Sequence, residues 1–90
     1  MNNLLNKYEA LEAALDQTGL NSEYVRLISC SLCGSYYAIE LRSDWMWYEC
    51  MVGAVSGSLM GLNYEPSVDV EALDGVNCAE LLDDVAASVA

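Results

Sequence analysis

The chain contains no histidine, and its basic residues are few: Lys7, Arg26 and Arg42, against 14 acids in 90 residues. Without an imidazole, Ser–His and Cys–His nucleophile pairs are excluded. No glycine-rich loop precedes a helix, so the usual phosphate cradle is missing as well. The one proline, Pro66, follows Glu65 and marks a break in the chain. The longest apolar run, Asp44 to Leu62, is interrupted by Glu49, and what remains uncharged falls short of the ~20 residues a membrane-spanning helix needs. Its GxxxGxxxG spacing matches that of pairing transmembrane helices, a reading that Glu49 opposes. The amino terminus opens on polar Asn2 and Asn3 rather than a signal peptide, so the four cysteines read as reduced thiols of a cytoplasm. No internal repeat, linker or low-complexity segment is visible.

What is present is a hydrophobic content of 54% together with a formal charge of −11. The first excludes a disordered acidic tail and, at this length, gives a single domain over residues 1–90. The second repels nucleic acid and anionic lipid, and it steers the protein toward basic surfaces with an on-rate that salt suppresses. The plain alternative is that the charge serves solubility alone.

Residues 3 to 17 read as a helix, with Leu4, Tyr8, Leu11 and Leu15 on one stripe and Glu9, Glu12 and Asp16 on another. Residues 23 to 42 read as a β-hairpin turning at Cys33-Gly34-Ser35, with Tyr37, Ile39 and Leu41 on one face of the second strand. The alternation of the first strand fixes no register. Asp44 to Leu62 then reads as a buried central helix. In that reading Trp45, Tyr48, Val52, Val55, Leu59 and Leu62 form its bulky face, and Gly53, Gly57 and Gly61 a bare one. Residues 67 to 71 alternate as a short edge strand would, with a single helical turn as the alternative. Asn77 caps a last helix from 78 to about 89. The expected fold is therefore a two-layer α+β domain: N-terminal helix, hairpin, buried central helix, possible edge strand, C-terminal helix.

The charges are unevenly placed. Residues 65 to 90 hold Glu65, Asp69, Glu71, Asp74, Glu80, Asp83 and Asp84 and no basic residue. Like charges at i, i+3 and i+4 cost a helix a few tenths of a kcal/mol per pair, roughly, and Glu80, Asp83 and Asp84 bear that cost unrelieved. Neighbouring carboxylates on a helix face stand about 5–6 Å apart, and duplex DNA carries a charge every ~3.4 Å of axis per strand. Acids on a folded scaffold can thus stand where a phosphate-binding protein expects phosphates; the duller reading is a solvated face. Trp47 points away from the bulky face and is a candidate interface anchor, packing against a terminal helix being the alternative.

Cys30-Ser31-Leu32-Cys33-Gly34 has the form of a zinc knuckle. A second CxxC is missing, and Cys78 falls on an apolar stripe, so buried thiols are expected and no metal or cofactor. A redox role would need a helix amino terminus that a hairpin tip does not supply. Asp83-Asp84 could bind magnesium, but adjacent acids on a polar helix face are usually just solvated.

Small size, strong negative charge and compact α+β content together resemble the DNA-mimic inhibitors that phages use against host defences, the anti-CRISPR and anti-restriction proteins. The resemblance lies in overall character and carries no residue over. It implies a non-enzymatic inhibitor that occupies the nucleic-acid groove of a nuclease complex in the host cytoplasm, without binding nucleic acid itself. The expected partner-binding residues are Glu9, Glu12, Asp16, Glu65, Asp69, Glu71, Asp74, Glu80, Asp83, Asp84 and Trp47. The alternatives are an immunity protein or antitoxin for a basic toxin, and a small dimeric or zinc-stabilised module. A homodimer would pair through the glycine face of the central helix.

Overall fold

The computed structural model describes residues 4–66 and 76–89, with side chains of 77–83 in the second segment. The first helix, α1 (Lys7–Thr18), is set by its caps. Asn6 Oδ1 accepts the Glu9 N–H at 2.8 Å, and Glu9 Oε1 accepts the Asn6 N–H at 2.9 Å. This reciprocal pair satisfies two amides that the first turn leaves free. Gly19, at φ 75°, ends the helix in the left-handed conformation that glycine adopts without strain.

Four strands follow: β1 (Arg26–Cys33), β2 (Tyr36–Arg42), β3 (Met46–Gly53) and β4 (Leu59–Pro66). A two-residue strand β5 (Val76–Asn77) leads directly into α2 (Cys78–Val89). All neighbours are antiparallel, in the order β4-β3-β2-β1-β5. The expected hairpin is there, and Tyr37, Ile39 and Leu41 of β2 share the buried face as the alternation requires. The unreadable register of β1 has a cause. A bulge at Ile28 inserts one residue between the Leu27–Leu41 and Ser29–Glu40 pairs, so the alternation changes phase within the strand.

The buried central helix is not what this sequence forms. Asp44 to Leu62 is a second hairpin, β3 and β4 with a turn between Gly53 and Ser58. A helical period stands out in its place because β3 is largely apolar on both faces, which hides its period of two. Tyr48, Cys50 and Val52 face α1, while Trp47, Glu49 and Met51 face away. The glycines that would stack on a helix have separate jobs. Gly57 sits in the turn at φ 73°, and a Cβ on Gly61 would stand 2.7 Å from Met51 Cε across the ladder. With no helical glycine face, the homodimer route through it falls too. The expected edge strand at 67–71 lies outside the described residues.

α1 lies across one face of the sheet and buries Ala10, Leu11, Ala14 and Leu15 against Ile39, Leu41, Cys50 and Val52. Each fully buried Leu, Ile or Val here is worth about 1.5–3 kcal/mol of transfer free energy. Polar ties fix the helix in place: Tyr37 Oη donates to the Leu5 carbonyl at 2.6 Å, and Leu5 N–H donates to the Ala54 carbonyl at 2.7 Å. Gln17 reaches from α1 to the β3–β4 turn, donating to the Gly57 carbonyl and accepting the Leu59 N–H, both at 2.7 Å. α2 is tethered by its first turn, where Cys78 and Ala79 donate backbone N–H groups to the carbonyls of Val25 and Ser22. Asn77 Oδ1 caps it through Ala79 N–H. Among the described residues, no helix covers the opposite face of the sheet.

Candidate partner-binding surface

Glu12 of α1 and Asp83 of α2 meet on the helix side of the molecule. Glu9, Glu12 and Asp16 are exposed and border one shallow depression beside Ala13. Glu12 also lines the neighbouring groove between α1, the loop before β1, and α2, together with Glu23 and Asp83. Glu80, exposed and one turn before Asp83, extends this band along α2. Neither groove is lined by lysine or arginine among the described residues. Lys7 projects from the other flank of α1, close enough to Cys30 for its charge to act on that thiol. Glu9 has a second duty, since its carboxylate is engaged in the cap of α1.

Other expected members stand elsewhere. Glu65 is on β4, paired across the ladder with Trp47 on the uncovered face, away from α1. Trp47 is half-buried on a strand rather than displayed on a helix. The exposed tryptophan is Trp45, at 73% of its surface, in the turn between β2 and β3, although the helical reading placed it in the core. Asp69, Glu71 and Asp74 lie outside the described residues, as does the side chain of Asp84.

Sequence reasoning missed Glu23, which joins the acids of α1 to those of α2. Its position just before β1 hid it in a stretch read only for strand character, and no sequence signal marks the groove. Arg26 and Arg42 are neighbours across the β1–β2 ladder and share a polar cleft with Glu23, Asp44 and Asn77 at that end of the sheet. The uncovered face also carries an unusual pair: Glu40 and Glu49 are direct cross-strand partners on two central strands. Opposed like charges of this kind are destabilising.

The cysteines do not converge. Cys30 and Cys33 are three apart on one strand and so point to opposite faces. No cluster of three or more potential metal-ligating side chains occurs among the described residues. Burial pushes the Cys50 and Cys78 thiols up to about 11, with the Glu49 carboxylate adding to the effect at Cys50. Cys30 is raised by burial as well, against the opposing pull of Lys7. Thiols held in the neutral form are poor nucleophiles and poor ligands. No helix among the described residues is long and apolar enough to cross a membrane.

Comparison of the chain with protein-family models, with curated proteins and with solved structures gave no match.

Proposed function

We propose that this protein is a non-enzymatic acidic inhibitor that binds the basic, nucleic-acid-binding surface of a partner protein. The observation that carries the reading is the band formed by Glu9, Glu12, Asp16, Glu23 and Asp83, whose grooves are lined by no basic side chain among the described residues. Carboxylates about 5–6 Å apart on a helix approach the spacing of backbone phosphates, and a folded scaffold holds them without the ordering cost a flexible tail would incur. Association of this kind is steered by the long-range field and weakens as salt rises.

The test is a pull-down from candidate host extracts at low and high salt, comparing the wild-type chain with the triple variant Glu12→Gln, Glu23→Gln, Asp83→Asn. A basic nucleic-acid-binding protein retained at low salt, displaced by DNA or RNA, and lost at least about tenfold in the variant is expected; tenfold corresponds to ~1.4 kcal/mol. The variant should unfold within a few degrees of the wild-type temperature (~5 °C), because all three side chains are exposed and the repulsion removed offsets the lost pull of Glu23 on Arg26 and Arg42 in their shared cleft. Equal retention of such a partner by the variant would refute the assignment.

A further inference from the structure

Among the described residues, the strand order leaves β4 at one end of the sheet. Edge strands expose a row of backbone donors and acceptors, and proteins usually blunt them with lysine, proline or a bulge. β4 has a bulge at Met60 and a proline at its end, and between them residues 61 to 65 run in unbroken ladder with β3. Their one charge is Glu65. Proline occupies a ladder with its nitrogen turned outward. Antiparallel alternation then turns the N–H and C=O of Tyr64 and Leu62 outward as well.

The two sides of this edge differ chemically. Leu62 and Tyr64 project toward the helix side, paired with Cys50 and Tyr48, yet α1 leaves them 38% and 64% exposed. With Leu20, Met46, Tyr48 and Thr18 they line an open, largely apolar groove alongside the strand. On the other side stand Asn63 and Glu65, and Asn63 Nδ2 donates to Glu49 Oε1 at 3.3 Å. Glu49 in turn faces Glu40. An incoming strand would therefore meet apolar surface on one side and carboxylates on the other.

We propose that β4 binds an extended segment of a partner protein, in which apolar residues alternate with lysine or arginine, by antiparallel addition as a further strand of the sheet. Its apolar residues lie opposite Leu62 and Tyr64, exchange backbone hydrogen bonds with them, and enter the groove. Its basic residues point to the other side, toward Glu65 and Glu49, where they relieve the repulsion between Glu49 and Glu40. A second copy of this chain is the poorer occupant, since each copy carries a charge of −11. The site is separate from the acidic band and stands whether or not that band binds a partner.

The experiment titrates the full chain with a labelled ten-residue peptide of alternating valine and lysine, read by fluorescence anisotropy and amide hydrogen exchange. Binding should slow exchange at the Leu62 and Tyr64 amides by at least about tenfold. N-methylation of the valines should weaken binding about tenfold or more, the loss of roughly two backbone hydrogen bonds, while N-methylation of the lysines should leave it within about twofold. The triple variant of the acidic band should bind the peptide as the parent does. Equal binding of the two methylated peptides, unchanged exchange at Leu62 and Tyr64, loss of peptide binding in the triple variant, or a chain dimer that excludes the peptide would each overturn the proposal.

Discussion

Replacing Gln17 by alanine tests the hairpin architecture at a single exposed side chain. On an isolated helix the change is favourable, because alanine is the better helix former by at most about 0.7 kcal/mol. In this fold, however, Gln17 Nε2 donates to the Gly57 carbonyl and Gln17 Oε1 accepts the Leu59 N–H, both at 2.7 Å. Those two bonds hold α1 to the β3–β4 turn, and each contributes about 0.5–1.5 kcal/mol. The lost pair outweighs the gained propensity, so Gln17→Ala should destabilise the chain by about 1–2 kcal/mol, towards the lower end because the site is wet. A domain of this size loses about 4–8 °C of Tm per kcal/mol. Thermal and urea unfolding followed by tryptophan fluorescence measures the loss, and hydrogen exchange at the Leu59 amide localises it. A neutral or stabilising result would refute the bridge, and with it the placement of residues 57 to 59 against α1.

The buried thiols give a second expectation. Cys50 and Cys78 are held neutral, so the folded chain keeps protons that the unfolded chain releases at high pH. Their stabilisation is fully present below pH 9 and is lost between pH 9 and about 11, at up to about 1.4 kcal/mol per pH unit for each thiol. Urea midpoints should fall across that window and fall less in a Cys50→Ala, Cys78→Ala variant; an equal fall would count against the assignment. Third, Glu40→Gln removes the repulsion with Glu49 across the central strands. It should stabilise by about 0.2–1 kcal/mol at low ionic strength and by less in high salt, and a lower Tm would show that Glu40 serves the fold.

Much of the chain announces itself locally. The Leu11–Leu15 stripe, the turn at Gly34 and the Asn77 cap each use signals a few residues long, and the elements they mark form there, although α1 starts at Lys7 behind the Asn6–Glu9 cap rather than at residue 3. Asp44 to Leu62 does not, for a physical reason. Strand β3 is covered by α1 on one face and carries tryptophan and methionine on the other, so apolar residues fall on both faces, Glu49 alone interrupting them, and the period of two is hidden. The turn at Val55-Ser56-Gly57-Ser58 is the hairpin's local signal, but glycines four apart imitate a helix face as readily as a turn and a close cross-strand approach. The acidic band was half legible. Periodicity groups Glu9, Glu12 and Asp16, but only the tether of α2 to the carbonyls of Ser22 and Val25 brings Asp83 beside Glu12 and Glu23. Placing Glu65 and Trp47 required knowing which face of which strand they occupy.

The extra residue at Ile28 reaches beyond its own strand. Had the ladder run through without it, Ile28 would lie opposite Leu41 and Arg26 opposite Ser43, with the guanidinium on the side that carries α1. The insertion instead sets Arg26 next to Arg42 on the far layer. Two of the chain's three cations are thereby kept off the helical layer, and one irregular residue gives the molecule a polarised distribution of charge that its composition alone does not specify.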